Sequence, residues 1–195
     1  MDILYHEDIV LKPSQDIALN FLMSKVMSAL HLIFVESEKE NGVIKLGLGF
    51  PMYNKEKLEL GNLLRLYAEE PIFLKKATED VRLKRLDDYL SIGEIKQQPS
   101  SIYGYKQYRR IQIKESKDRL IRRYAKRHNI DLEQAKKKYD SFKSSVNLLP
   151  FVMMESLSSK QRFRLYIEEV QQEKYMGPPL FNSYGLTKSG SLPIF

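Results

Sequence analysis

The sequence holds no cysteine. That excludes disulfides, thiolate metal sites and a cysteine nucleophile, and it suits a reducing compartment. Histidine is scarce: His6, His31 and His128 are the three, and no two stand at ligand spacing. Neither DxD nor HExxH occurs. GxGxxG and the GxxxxGK phosphate loop are missing too, so nothing supports a nucleotide-cofactor enzyme. No apolar run approaches the roughly 18 residues of a membrane span. The N-terminal MDILYHEDIV is neither basic nor followed by a signal-type apolar core. These absences predict a soluble, cytoplasmic protein with no cofactor and no metal.

The 195 residues that are present suffice for one domain or two small ones, and 43% hydrophobic with 29% charged residues is a globular composition. Their charge is concentrated. Tyr105 to His128 carries Lys106, Arg109, Arg110, Lys114, Lys117, Arg119, Arg122, Arg123, Lys126 and Arg127 against only Glu115 and Asp118. That stretch is +8 in a chain of +7, so the remainder sums to −1. Ser116 is a plausible N-cap for a helix over about 117–128. At about 100° per residue, Arg119, Arg122, Arg123, Lys126 and Arg127 share one face, opposite Leu120, Ile121, Tyr124 and Ala125. An acid-free cationic front on an apolar back suits the phosphates of a nucleic acid. A solvated face or a membrane-surface helix is the alternative, but solvated faces usually mix signs, and the apolar residues here are better used as core.

Taken in order, residues 3–11 read as a strand. Asp16 to about Val35 reads as a helix, with Ile17, Phe21, Leu22, Val26, Leu30, Ile33 and Phe34 at spacings of three and four. Strands are expected at 43–50, 61–68 and 91–96, with helical pieces between 70 and 90. This β-α-β-β-α-β order over 1–97 is the ferredoxin-like pattern. The expectation is an α+β protein: a ferredoxin-like domain at 1–97 and a second α+β domain at 98–195, divided at QQPSS. In the second domain, 105–113 alternates like a strand, placing Arg110 and Gln112 on one side. Arginine and glutamine read guanine and adenine edges, although an ordinary exposed strand face fits the spacing equally well. Asp131 and Gln134 form a D-x-x-Q capping pattern for a further helix. FVMM (151–154) and RFRLYIEEV (162–170) read as strands flanking a loop with Ser156, Ser158 and Ser159. In the tail, Gly185 and Gly190 suggest a turn and a close backbone approach.

With so poor a metal-ligand set, RNA cleavage would most simply use the RNA's own 2′-hydroxyl as nucleophile. It then needs a base, groups that hold ribose and phosphate in line, and donors for the developing charge. Histidine titrates in the right range. His31 is the best-placed candidate, although a lone histidine on an apolar helix is more often a core or boundary residue.

Several separated pieces carry a resemblance: LMSKVMSALH (22–31), LGLGFP (46–51), YRRIQIK (108–114), RLIRRYAKRH (119–128), DLEQAKKK (131–138), LPFVMMESLSSKQRFRLYI (149–167) and SYGLTKSG (183–190). Together and in this order the chain resembles the type I-F CRISPR-associated endoribonucleases that process precursor CRISPR RNA. The resemblance implies that His31 is the general base, that Ser156 holds the attacking ribose and that Tyr184 orders the site. It implies that Arg110 and Gln112 read bases near the foot of a repeat hairpin. Arg119, Arg122, Arg123 and Arg127 would enter its groove beside Lys126, Phe163 would stack on the last base pair, and Ser158 and Ser159 would lie near the scissile phosphate. Lys126 stands where arginine is expected, Ile121 replaces another basic residue, and Ser159 stands in place of a usual threonine. The implied partners are the repeat hairpin and the other subunits of the type I-F surveillance complex, with no membrane. The other reading is an RNA-hairpin-binding protein without catalysis.

Overall fold

Alternating apolar positions at the N-terminus form β1 (Tyr5–Leu11), which buries Ile9 and Leu11 completely. This computed structural model describes residues 4–112, 117–139, 149–156 and 159–195, without the side chains of 117–119. The expected Ser116 cap lies outside those residues. After β1, the helix α1 (Leu19–Asn41) buries Leu22, Val26, Leu30, Ile33 and Phe34 along one stripe. It starts three residues later than expected and runs six past Val35. The apolar period stops at Phe34, but Glu38, Lys39 and Glu40 are good helix formers, and the helix ends only at Gly42, whose left-handed backbone caps it.

At 23 residues α1 is also long and apolar enough to cross a bilayer, which corrects the expectation that nothing approaches that length. Its apolar stripe is spent on the core instead.

Next come β2 (Gly47–Gly49), β3 (Leu63–Ala68), α2 (Pro71–Thr78), α3 (Val81–Lys84), a 3-10 turn at Asp87–Tyr89, β4 (Leu90–Ile92) and β5 (Lys96–Gln97). The strand expected over 43–50 is thus only three residues long. Gly47 is there because a ring lies on it: a Cβ would stand 2.1 Å from the Phe181 ring. The first sheet runs β2-β3-β1-β4, with β5 also pairing β1, and every pairing is antiparallel. Its register sets Asp8 opposite Arg65, and the guanidinium grips that carboxylate at 2.6 and 2.8 Å.

The second sheet is built from β6 (Gly104–Ile111), β7 (Phe151–Glu155), β8 (Arg162–Gln172) and β11 (Leu192–Ile194), in the order β11-β6-β8-β7. In β8, Leu165 and Ile167 are fully buried while Arg162 and Arg164 are exposed, the alternation read from the sequence. The tail adds a small pair, β9 (Leu180–Phe181) and β10 (Thr187–Ser189). At Gly190 a Cβ would stand 2.0 Å from the Pro178 carbonyl oxygen, which is the close approach expected there. The protein is therefore α+β, with antiparallel sheets.

Residues 1–111 and 149–195 form one compact unit, and 112–148 form another. The second unit holds α4 (Lys117–His128) and α5 (Leu132–Lys138). Ile121, Ala125 and Ala135 are buried between them, with Tyr124, Ile130 and Tyr139 packed alongside. Asp131 is the N-cap of α5, but its side chain makes no capping bond, so the D-x-x-Q reading placed the helix start correctly and its chemistry wrongly.

Candidate active site

His31 lies on α1 directly after the fully buried Leu30, but it is itself only half-buried. It is a boundary residue, open enough to meet a substrate. Its Nδ1 stands 2.6 Å from the Ser183 carbonyl oxygen. A carbonyl oxygen only accepts, so in this bond Nδ1 carries the proton and donates. In the neutral ring the lone pair then belongs to Nε2. The Tyr184 ring stacks on the imidazole, with centroids 4.5 Å apart and planes 12° from parallel.

The turn that supplies these contacts is tightly held. The Asn182 carbonyl accepts from Gly185 N at 2.7 Å, and Asn182 N donates to the Leu186 carbonyl at 2.9 Å. Gly185 adopts φ +72, a left-handed conformation that favours glycine. A Cβ there would stand 2.5 Å from the Phe34 ring on α1. The Gly185 carbonyl accepts from Leu48 N of β2 at 2.8 Å. The turn is thus pinned both to the helix that carries His31 and to the first sheet.

Two further predicted residues join this cluster. Arg110, on β6, holds its guanidinium 5.0 Å from the centre of the Tyr184 ring and 5.9 Å from that of Phe163, on β8. Phe163 in turn meets Tyr184 edge-on at 6.4 Å. Four residues from distant parts of the chain therefore converge: a histidine, two aromatics and an arginine. Gln112 is exposed and lies past the end of β6, so the strand that carries Arg110 does not extend to it as expected.

Ser156 directly follows β7 and opens the turn into β8. Its Oγ accepts from Ser159 N at 3.3 Å, its carbonyl from Lys160 N at 2.8 Å, and its own N–H donates to the Gln161 carbonyl at 2.9 Å. Two residues earlier, the Met154 sulfur accepts from Ser28 Oγ at 4.0 Å. Ser28 lies one turn before His31, so β7 packs on the segment of α1 that leads to the histidine. Leu157 and Ser158 lie outside the described residues.

In the other unit, Arg122, Arg123, Lys126 and Arg127 are all exposed on α4, opposite the buried Ile121 and Ala125. The side chain of Arg119 lies outside the described residues. His128 closes α4 beside the Tyr124 ring, with centroids 4.2 Å apart. His6 is buried in β1 against Phe195. His6 shares none of the described contacts of the His31 cluster. Among the described residues, no three His, Cys, Asp or Glu side chains gather as a metal site would need.

Sequence reasoning missed the Ser183 carbonyl. A backbone oxygen has no signature in side-chain types. The signal that pointed nearest was the glycine after Tyr184, which marked the turn.

The chain matches the model of the family described as CRISPR-associated protein (Cas_Csy4) over residues 5–195. It is similar to the CRISPR-associated endonuclease Cas6/Csy4 of Pseudomonas aeruginosa (strain UCBPP-PA14), 31% identical over 198 residues that cover 98% of this chain and 99% of that one. It is also similar to the CRISPR-associated endonuclease Cas6/Csy4 of Escherichia coli (strain UTI89 / UPEC), 28% identical over 191 residues, covering 98% and 99%.

Proposed function

Because the chain belongs to the CRISPR-associated protein (Cas_Csy4) family, we propose that it is an endoribonuclease that cuts CRISPR repeat hairpins in precursor CRISPR RNA. The observation that carries the chemistry is the His31 ring, with Nδ1 held by the Ser183 carbonyl and Tyr184 stacked upon it. That arrangement leaves Nε2 as the basic nitrogen. In the proposed reaction, Nε2 takes the proton of a ribose 2′-hydroxyl, and the resulting oxygen attacks the adjacent phosphorus. The bond to the 5′-oxygen of the next nucleotide breaks, and that oxygen takes up a proton. The products are a 2′,3′-cyclic phosphate (or its 3′-phosphate) upstream and a 5′-hydroxyl downstream. Ser156 holds the attacking ribose, and Ser158 and Ser159 lie near the scissile phosphate. None of these steps calls on a metal.

Binding and reading fall to other residues. The exposed face of α4 neutralises phosphates through Arg122, Arg123, Lys126 and Arg127, and the family resemblance adds Arg119 to them. The A-form major groove is normally too deep and narrow for a helix, but a short hairpin opens it at the loop and at the foot. Arg110 and Gln112 read base edges near the foot, and Phe163 stacks on the last pair. The first sheet, with its β-α-β-β-α-β order and its β2-β3-β1-β4 arrangement, supports a ferredoxin-like domain over 1–97 that carries the catalytic histidine. Residues 98–195 form the RNA-binding part. In the cytoplasm the protein keeps its product stem and joins the other subunits of the type I-F surveillance complex.

The test begins with the RNA that co-purifies with a His31→Ala variant. Resynthesised, that hairpin should be cut by the unchanged protein in the presence of a chelator. His31→Ala should bind it with near-normal affinity and cut about 10²-fold more slowly or worse, the scale of losing a general base. Binding by both proteins with cleavage by neither would leave a hairpin-binding protein without catalysis.

A further inference from the structure

Both contacts to the His31 ring come from one turn, and one side chain closes that turn. The Asn182 Oδ1 accepts from Tyr184 N at 2.9 Å and from Leu186 N at 3.2 Å. The residue between Asn182 and Tyr184 is Ser183, whose carbonyl meets His31 Nδ1. Asn182 itself is half-buried.

We infer that Asn182 is a positioning residue for the cleavage reaction: its amide oxygen fixes the turn so that Ser183 selects the His31 tautomer and Tyr184 lies flat on the ring. This deepens the proposed function and rests on His31 being the base. An asparagine that accepts from a backbone N–H two residues on forms a side-chain turn, which holds the chain as a backbone hydrogen bond would. Here it also orders the carbonyl between. A carbonyl aimed at Nδ1 keeps the proton there and leaves Nε2 to act as base. Were the turn to loosen, the ring could rotate or carry its proton on Nε2, and that nitrogen could no longer accept. The backbone bonds within the turn and the Gly185 contact with Phe34 fix where the turn sits. The side chain of Asn182 adds the restraint on Tyr184 N, which sets the peptide joining Ser183 to Tyr184.

The experiment compares Asn182→Ala, Asn182→Asp and Asn182→Ser with the unchanged protein and with His31→Ala. Its probe is the hairpin that co-purifies with His31→Ala. Single-turnover cleavage, hairpin affinity and the 15N shifts of the His31 ring are read for each. Asn182→Ala should cut about tenfold to a hundredfold more slowly, the scale of a small misplacement of a reacting group. Its affinity should stay within about threefold. Its ring shifts should move from the Nδ1–H pattern toward a mixture. Asn182→Asp keeps the accepting oxygen and should retain the plateau rate within about threefold. Asn182→Ser offers a weaker acceptor and should fall between the two. It provides the same comparison if the alanine variant does not fold.

The inference is overturned if Asn182→Ala cuts as fast as the unchanged protein with the same ring shifts. It is equally overturned if aspartate and alanine are impaired alike, since the accepting oxygen would then not matter. Failure of the underlying reading would look different: the unchanged protein and His31→Ala would cut at the same rate.

Discussion

His6 and His31 show what surroundings do to one residue type. His6 is 8% exposed, its Nδ1 has no partner, and its ring packs 4.8 Å from that of Phe195. Burial first, and then the charge of Arg65, holds its pKa below the ordinary 6.5, with Lys96 adding to the effect and Asp8 opposing it. The unfolded chain therefore binds a proton at His6 that the folded chain refuses. Stability from this group is present above pH 6.5 and is lost as pH falls from there toward the lower folded value. The carboxylates of Glu36 and Asp80, held down by hydrogen bonds from Arg82, lose their contribution in a more acid range. A His6→Phe variant should accordingly lose less thermal stability than the unchanged protein between pH 7.5 and 5.5. Parallel melting-temperature curves over that interval would show that His6 does not titrate differently on folding. At this scale the sequence was informative about side chains and silent about backbone. His31 was visible as the candidate base from the residues and again from the family resemblance, and Tyr184 as its companion from the resemblance alone. The Ser183 carbonyl and the turn closed by Asn182 were not, because a hydrogen bond between residues 152 positions apart leaves no local pattern.

Among the elements, α4 makes the clearest prediction. Its exposed arginines sit on the face opposite Ile121 and Ala125, as the spacing required. Replacing Arg122 and Arg123 with alanine should weaken binding to any hairpin stem, whatever its sequence. The slope of log affinity against log salt should fall by roughly one for each phosphate that is no longer neutralised. An unchanged slope would show that these two side chains touch no phosphate. Long, strongly periodic segments were the legible ones: α1, α4 and β8 all follow from apolar spacing. The expected 43–50 strand shrank to Gly47–Gly49, because its pairing depends on β3 and on the Phe181 ring lying over Gly47. The tail strands β9, β10 and β11 are two or three residues long, too short for any period to show. Asp131 illustrates a third limit: the residue type marks where α5 starts but does not guarantee that its side chain bonds there.

Across the whole molecule, the site draws on α1, β6, β8 and the 182–186 turn, which only the tertiary fold brings together. Element order suggested the first sheet, but its strand order and registers come from long-range pairing that no single window encodes. The family resemblance suggested the roles, and the fold supplies a geometry that suits the proposed one: a histidine whose Nδ1 meets a carbonyl oxygen. The claim at the centre of this account is that the RNA provides its own nucleophile. Removing one oxygen tests it. The co-purifying hairpin, carrying a single deoxyribose just upstream of the cut, should bind with the affinity of the all-ribose hairpin and remain whole in the presence of the unchanged protein. Cleavage of the deoxy substrate at the ribose rate would contradict the account, because the attacking oxygen would then have to come from elsewhere.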